Sequence, residues 1–382
     1  MDLSNVAKNI RRLMKVRGMS SKQLAQKADL GSSALSNLLN GKTLPQSMTL
    51  IKLAGALNVS VEQLLVSVPE LHAIRFRTCA ALSAREKAAK EQLKVDVASW
   101  LKNFNELQDV LNIPNVWNLV GTAFSDCTIA AQIIRRDYFH LDECEPVCDF
   151  VSQIEALGIR LWMRKFGFKR TFGLSVGASD GGPAIIVNND PGISIERQIF
   201  TIAHELGHLL LHLDSYTSPE DFKYDDEEEE READRFAGEL LLPLKGLSYQ
   251  WKLKKGLSFV DRVLYIKHLY KVSYRTVLVR LQQMIGTGGV NLFIRFAVEY
   301  KEQYGHDLKD HYGPPIYGKD EFVASSDPEA LQRWDLQESQ YRSLVRDAYE
   351  RELISISKAG ELLGKTTSEM RKVASVWKAD IA

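Results

Sequence analysis

The stretch Phe200-Thr-Ile-Ala-His204-Glu205-Leu-Gly-His208-Leu-Leu-Leu-His212 sets three chemically demanding residues at a spacing that makes a reaction site. On a helix, His204 and His208 are four residues apart, so both imidazoles leave one face and can close on a single zinc ion with Glu205 beside them. Apolar residues at 202, 203, 206, 209, 210 and 213 would bury such a helix. The plainer alternative is a core helix whose histidines are only hydrogen-bonded. His212 is excluded as a ligand of the same ion. Nothing between 208 and 212 breaks the helix, so His212 would lie about 12 Å along the axis from His204, against zinc bonds of ~2 Å.

A further ligand is expected from a later element, and the run from Asp225 through the acidic residues to Glu232-Ala-Asp-Arg-Phe-Ala-Gly-Glu-Leu-Leu-Leu-Pro243 offers one. Most of the acidic run reads as a solvated loop. Ala233, Phe236, Ala237, Leu240 and Leu241 then repeat at helical spacing, and Glu232, one turn before Phe236, is placed on their inward face. A carboxylate there could reach zinc and leave a fourth position for water. The two segments, HELGHLLLH and EREADRFAGELLLP, resemble the ImmA/IrrE family of zinc metallopeptidases. That resemblance implies a zincin-like α+β domain holding one zinc ion per chain, with His204, His208 and Glu232 as ligands and Glu205 as general base.

The chain has 382 residues, 45% of them apolar, enough for large cores and two or three domains. Its formal charge is zero, but residues 1–66 carry nine Lys/Arg against Asp2, Asp29 and Glu62, a local balance of +6. A basic end on a neutral chain points to a polyanionic partner for that end alone. The four cysteines, 79, 127, 144 and 148, are too scattered for a disulfide framework and read as reduced thiols. No apolar run approaches a membrane span and the N-terminus has no signal-peptide core, which predicts a cytoplasmic protein without a membrane partner.

From the N-terminus, Leu3, Val6, Ile10 and Leu13 mark an amphipathic helix ending near Gly18. Ser20 caps a second helix, Leu30-Gly31 turns into a third over Ser32–Leu39, and Asn40-Gly41 stops it. Two short helices, about 46–57 and 60–66, complete a five-helix unit. The run SSKQLAQKADLGSSALSNLLNGKTLP resembles the Xre/Cro-type helix-turn-helix domains. In that geometry the third helix enters the major groove of an operator duplex, with Ser32, Ser33, Ser36 and Asn37 toward base edges and Lys42 on phosphate. With no Arg or Gln among these residues, sequence preference would lean on water and DNA shape.

Residues 67–81 show no clear period and read as a linker within a second region, 67–125. Ser83 opens a long helix through a capping box with Glu86. Along it, Leu93, Val97, Trp100, Phe104, Leu107 and Leu111 alternate spacings of four and three, a seam that could pair two chains into a homodimer or pack on the chain itself. Over 126–250 two helices precede three short apolar segments, Gly158–Met163, Thr171–Val176 and Pro183–Val187, expected to form a small antiparallel sheet in front of the zinc helix. Pro183 removes a donor that an edge strand can spare, so Ala184, Ile185 and Ile186 are the candidate edge for an extended substrate. Tyr216, Tyr224, His212 and Tyr249 are unranked candidates for steadying an oxyanion.

Residues 251–382 read as helical. The glycine run 286–289 lacks the Lys-Ser/Thr of a phosphate loop and reads as a hinge, while His306 and His311 read as surface histidines. Residues 354–377, ISISKAGELLGKTTSEMRKVASVW, resemble the first half of another helix-turn-helix with few positive charges on its second helix, and read either as a small DNA-binding remnant or as a packing module that positions a substrate or sensor surface. The whole predicts a mainly α chain, and its two parts together resemble phage and mobile-element regulators, in which a family peptidase cuts a helix-turn-helix repressor. It would be a DNA-binding zinc endopeptidase that relieves repression by cutting itself or a partner repressor. The alternative is a regulator or antitoxin whose zinc domain only senses a ligand or binds a partner.

Overall fold

The computed structural model describes residues 3–65, 69–76, 83–114, 116–119, 124, 126–167, 171–216, 227–286, 291–305, 307–308, 331, 336 and 340–379. Tyr224, His306, His311, the hinge positions 287–289 and positions 67–68 and 77–81 of the expected linker lie outside them. The chain is mainly α with one small mixed sheet. It gathers into two compact units. One takes in the described residues of 1–71, 80–102 and 166–168, the other those of 72–79, 103–165 and 169–382.

The first unit opens with five helices, α1 (Leu3–Val16), α2 (Ser21–Lys27), α3 (Ser32–Leu39), α4 (Ser47–Leu57) and α5 (Val61–Leu65), each close to its expected position. Ser20 caps α2 through a full capping box. Its Oγ accepts from the Gln23 amide at 3.2 Å, and the Gln23 side chain accepts from the Ser20 amide at 2.8 Å. Asp29 then takes a left-handed conformation (φ +50°), which turns the chain into α3. Val6, Ile10, Leu24, Leu35, Leu53 and Leu57 meet in the core, and Asn9 Nδ2 donates to the Leu64 carbonyl at 2.9 Å, tying α1 to α5.

Helix α6 (Ala84–Val110) starts at the expected box, with Ser83 N to Glu86 Oε2 at 3.0 Å and Glu86 N to Ser83 Oγ at 3.3 Å. Its seam is not open for a second chain. Leu93, Val97, Trp100, Phe104, Leu107 and Leu111 are each at most 5% exposed within this one chain, and Phe104 stacks on Tyr341 with ring centroids 5.6 Å apart. The apolar stripe belongs to the chain's own core, which removes the surface proposed for a homodimer.

In the second unit, β1 (Ile74–Phe76) is followed by α7 (Cys127–Ile133), capped by Asp126 and running into a π-helical turn, and by α8 (Phe150–Ala156). Strands β2 (Arg160–Arg164), β3 (Gly173–Val176) and β4 (Ala184–Asn188) come next, then α9 (Ile195–Leu211) and α10 (Glu227–Leu241). The rest is helical: α11 (Leu244–Leu253), α12 (Phe259–Tyr270), α13 (Tyr274–Ile285), α14 (Leu292–Tyr304), α15 (Gln340–Glu350), α16 (Ile356–Leu362) and α17 (Thr367–Ala379). Among the described residues no helix is long and apolar enough to cross a membrane. Cys127, Cys144 and Cys148 are free thiols, as read from the sequence.

The sheet departs from expectation in two ways. Its order is β1-β3-β4-β2, with β2 parallel to β4 and the other pairs antiparallel, so it is mixed. Strand β4 is interior, with Ala184, Ile185, Ile186 and Val187 fully buried. A strand hydrogen-bonded on both sides cannot receive a substrate strand, so those residues are core and not a substrate edge. Pro183 misled because a proline is tolerated just before a strand as well as on an edge. The edges are β2 and β1, the latter drawn from the segment read as linker, where three residues are too few to show a period.

Helix α9 runs against β3 and β4 and against α10. Two glycines allow this closeness. A Cβ on Gly173 of β3 would fall 2.4 Å from Thr201 Cγ2, and one on Gly207 would press on Ala233 and Phe236 of α10 at 3.1–3.2 Å. A buried Lys267–Glu196 pair at 2.5 Å pins the start of α9 to α12, and the Leu331 amide also donates to Glu196 at 2.7 Å. The far end of α10 is held by Arg135 and Arg280, which donate to the carbonyls of Leu240 and Leu242 at 2.7 and 2.9 Å.

Candidate metal centre

Ser194 caps α9 by accepting from the Arg197 amide, and the helix then runs unbroken to Leu211 with His204, Glu205 and His208 all buried. The two Nε2 atoms of His204 and His208 face each other at 3.0 Å, as the four-residue spacing requires. The carboxylate that joins them is Glu230 and not Glu232. Glu230 lies 3.4 Å from His204 Nε2 and 3.2 Å from His208 Nε2, and the three ligand atoms fall within 4.8 Å of one another. Glu232 instead accepts from His212 Nε2 at 3.0 Å.

Helix geometry explains the correction. At about 100° per residue, Glu230 projects roughly 60° from the direction of Ala233, the centre of the buried face of α10, whereas Glu232 projects roughly 100° away on the other side. Counting one turn back from Phe236 picked the flank of that face; counting two turns, seven residues, back from Ala237 picks Glu230. The same spacing sets Asp234 one turn beyond Glu230, and its Oδ1 meets His204 Nδ1 at 2.8 Å. His212, at the C-cap of α9, meets His208 Nδ1 with its own Nδ1 at 2.8 Å. Each Nδ1 is thus engaged by an outer partner, which turns Nε2 toward the shared point, the arrangement seen around metal-binding histidines.

Two imidazole nitrogens and one carboxylate oxygen form a donor set suited to a divalent cation with an open position. The protonation preferences agree. Burial pushes the His208 imidazole down to about 3, so it is neutral and able to ligate. Burial opposes ionisation of Glu230, but its close contacts with His204 and His208 outweigh it and hold the carboxyl well below its ordinary range.

Glu205 faces the sheet. Ser175 of β3 donates to Glu205 Oε2 at 2.5 Å, and Tyr216 shares a 2.7 Å hydrogen bond with the Ser175 hydroxyl. Burial raises the Glu205 carboxyl above its ordinary value, and burial with the nearby Glu205 charge raises the Tyr216 phenol. Of the oxyanion candidates, Tyr216 is therefore placed behind Glu205, His212 behind His208, and Tyr249 is 54% exposed on α11. Arg75 of β1 pairs with Glu229 and, at 3.3 Å, with Glu230. Sequence reading missed Arg75, Ser175 and Asp234; only Asp234 carried a signal, its four-residue spacing from Glu230.

In the first unit Ser32, Ser33, Ser36, Asn37 and Lys42 are all exposed, the serines and Asn37 on the outer face of α3. The α2–α3 pair also frames a shallow groove of about 520 Å³ that includes Arg11, Lys22, Ser32 and Ser36.

Comparison with known families accounts for both regions. Residues 154–282 match the IrrE N-terminal-like domain of a peptidase family, and residues 10–64 match a helix-turn-helix family. The chain fuses the two. The IrrE N-terminal-like match spans β2, β3, β4, α9 to α12 and most of α13, so it covers both helices of the candidate metal site but leaves out β1 with Arg75. A search of curated proteins returned no match.

Proposed function

We propose that the protein is a cytoplasmic, DNA-binding transcriptional regulator and a zinc endopeptidase that relieves repression by cutting itself or a partner helix-turn-helix repressor. The observation that carries the reading is the buried Glu205 carboxylate, fixed by Ser175 beside the His204, His208 and Glu230 donors. These three residues would hold one zinc ion per chain, which when bound polarises a peptide carbonyl and makes water acidic enough to attack at cell pH.

Glu205 takes the proton of the attacking water and delivers it to the nitrogen of the departing chain, a role its raised affinity for a proton favours. Ser175, backed by Tyr216, holds the carboxylate in one rotamer. Asp234 and His212 hold the two imidazoles. Of the two edge strands, β1 is tied to α10 through Arg75, so an extended substrate chain is proposed to align along β1 and not on the interior β4. Operator contacts are assigned to Ser32, Ser33, Ser36 and Asn37, with Lys42 on phosphate.

The test is a Glu205→Gln protein placed on its own promoter in cells. It should keep zinc and DNA binding and act as a locked repressor. A variant that still responds fully to the inducing condition, with zinc bound and no cut product, would replace the peptidase reading with that of a sensor.

A further inference from the structure

Residues 340–379 repeat the main cap and turn hydrogen bonds of the opening of the N-terminal domain. Ser20 and Ser355 each cap a seven-residue helix, with Oγ accepting from the Gln23 and Lys358 amides at 3.2 Å. The turn that follows α2 is closed by Ala28 N to Leu24 O, Asp29 N to Gln26 O and Leu30 N to Ala25 O. The turn after α16 is closed by Leu363 N to Ala359 O, Gly364 N to Glu361 O and Lys365 N to Gly360 O, the same bonds 335 positions later. Asp29 and Gly364 are left-handed at φ +50° and +62°.

The preceding helices agree as well. Arg17 N to Leu13 O, Gly18 N to Lys15 O and Met19 N to Met14 O reappear 334 positions on as Arg351 N to Asp347 O, Glu352 N to Tyr349 O and Leu353 N to Ala348 O. The connection into α16 is therefore one residue longer. Packing follows the backbone: Leu24, Ala25, Leu35 and Leu39 are buried, and so are Ala359, Gly360, Met370 and Ala374. In place of further helices, Trp377 of α17 closes this core on Tyr349, ring centroids 6.0 Å apart, and takes a bond from Arg346 at its carbonyl.

The outward faces differ in charge. Where α3 exposes Ser32, Ser33, Ser36 and Asn37, α17 exposes Thr367, Ser368, Arg371 and Lys372, with Lys365 before it and Lys378 in its last turn. Glu369 is spent on the cap of α17, accepting from the Thr366 hydroxyl at 2.7 Å. Among the described residues, Arg371 and Lys372 make no ion pair. At the positions equivalent to Ser36 and Asn37, α17 therefore presents two adjacent exposed cations.

We propose that residues 340–379 form a second helix-turn-helix that binds duplex DNA, with α17 in the major groove, Arg371 toward base edges or phosphate, and Lys365 and Lys372 on phosphate. The proposal shares its docking geometry with the N-terminal assignment but is independent of the peptidase reading.

The experiment measures binding of the full chain to a generic duplex by fluorescence anisotropy over a salt series. Arg371→Ala with Lys372→Ala should weaken binding at low salt by about tenfold or more and lower the salt slope by about one, for the Lys372 phosphate contact, or by about two where Arg371 also meets phosphate. Ser36→Glu with Asn37→Glu should leave residual binding that Arg371→Glu with Lys372→Glu abolishes. All four positions are exposed, and helicity by circular dichroism checks that each variant is folded. A folded alanine pair with unchanged affinity and slope overturns the proposal and turns this basic face toward an acidic protein surface. If the Ser36/Asn37 pair alone has no effect, the N-terminal assignment fails and this one stands.

Discussion

Every residue assigned to the N-terminal DNA surface is exposed and lies in one short stretch, 32–42. The candidate metal centre draws on Arg75, Ser175, His204 to Tyr216 and Glu230 to Asp234, and most of those groups are buried. The first is a local device: a cap, a left-handed turn and a helix present side chains outward, and the core beneath only has to exist. The second is a tertiary device in which each group is held by one from another segment. Substitution should therefore act gently and separably in the first and steeply in the second.

The largest effect is expected at His208→Ala, which should lose stoichiometric metal and loosen the packing of α9 on α10, read as metal content and as a lower unfolding midpoint in urea. Glu230→Gln should also abolish tight metal binding, while Glu232→Gln should cost about tenfold or less, because it acts only through His212. Equal losses at the two positions would undo the assignment of the third ligand. Asp234→Asn should fall between them, at roughly 10–100-fold in metal affinity.

Next in size is Val97→Glu. Because the seam of α6 is core, this change should destabilise the chain by more than about 3 kcal/mol in chemical denaturation and should not convert a dimer to a folded monomer. A folded, monomeric Val97→Glu protein would restore the seam as a pairing surface. The smallest effects belong to the DNA surface. Asn37→Ala should narrow discrimination between sites by about 1–3 kcal/mol, and Lys42→Ala should weaken all duplexes alike while lowering the salt slope by about one.

The same contrast explains what the sequence made legible. The five N-terminal helices and the capping boxes at Ser20 and Ser83 were readable because their signals lie within a few residues. His204, Glu205 and His208 were readable for the same reason. Glu230 was missed by two positions, since periodicity fixes a buried face and not which flank of it meets a neighbour. Ser175 and Arg75 left no trace, being ordinary residues made functional by the pairing of β1 with β3, where Arg75 stands opposite Ser175. The interior position of β4 also depended on that unforeseen strand and on the parallel return of β2. The C-terminal repeat was visible as a resemblance, and its backbone bonds turn that resemblance into an element equivalent to the first.

The most direct test of the account is zinc content and cleavage measured on the same purified samples of wild-type and Glu205→Gln protein, incubated with a helix-turn-helix repressor as substrate. The account predicts about one zinc per chain in both, equal DNA affinity, and a cut product formed at least about 10²-fold more slowly by Glu205→Gln. Equal rates of cleavage in the two proteins, or none in zinc-loaded wild type against either itself or the repressor, would contradict it.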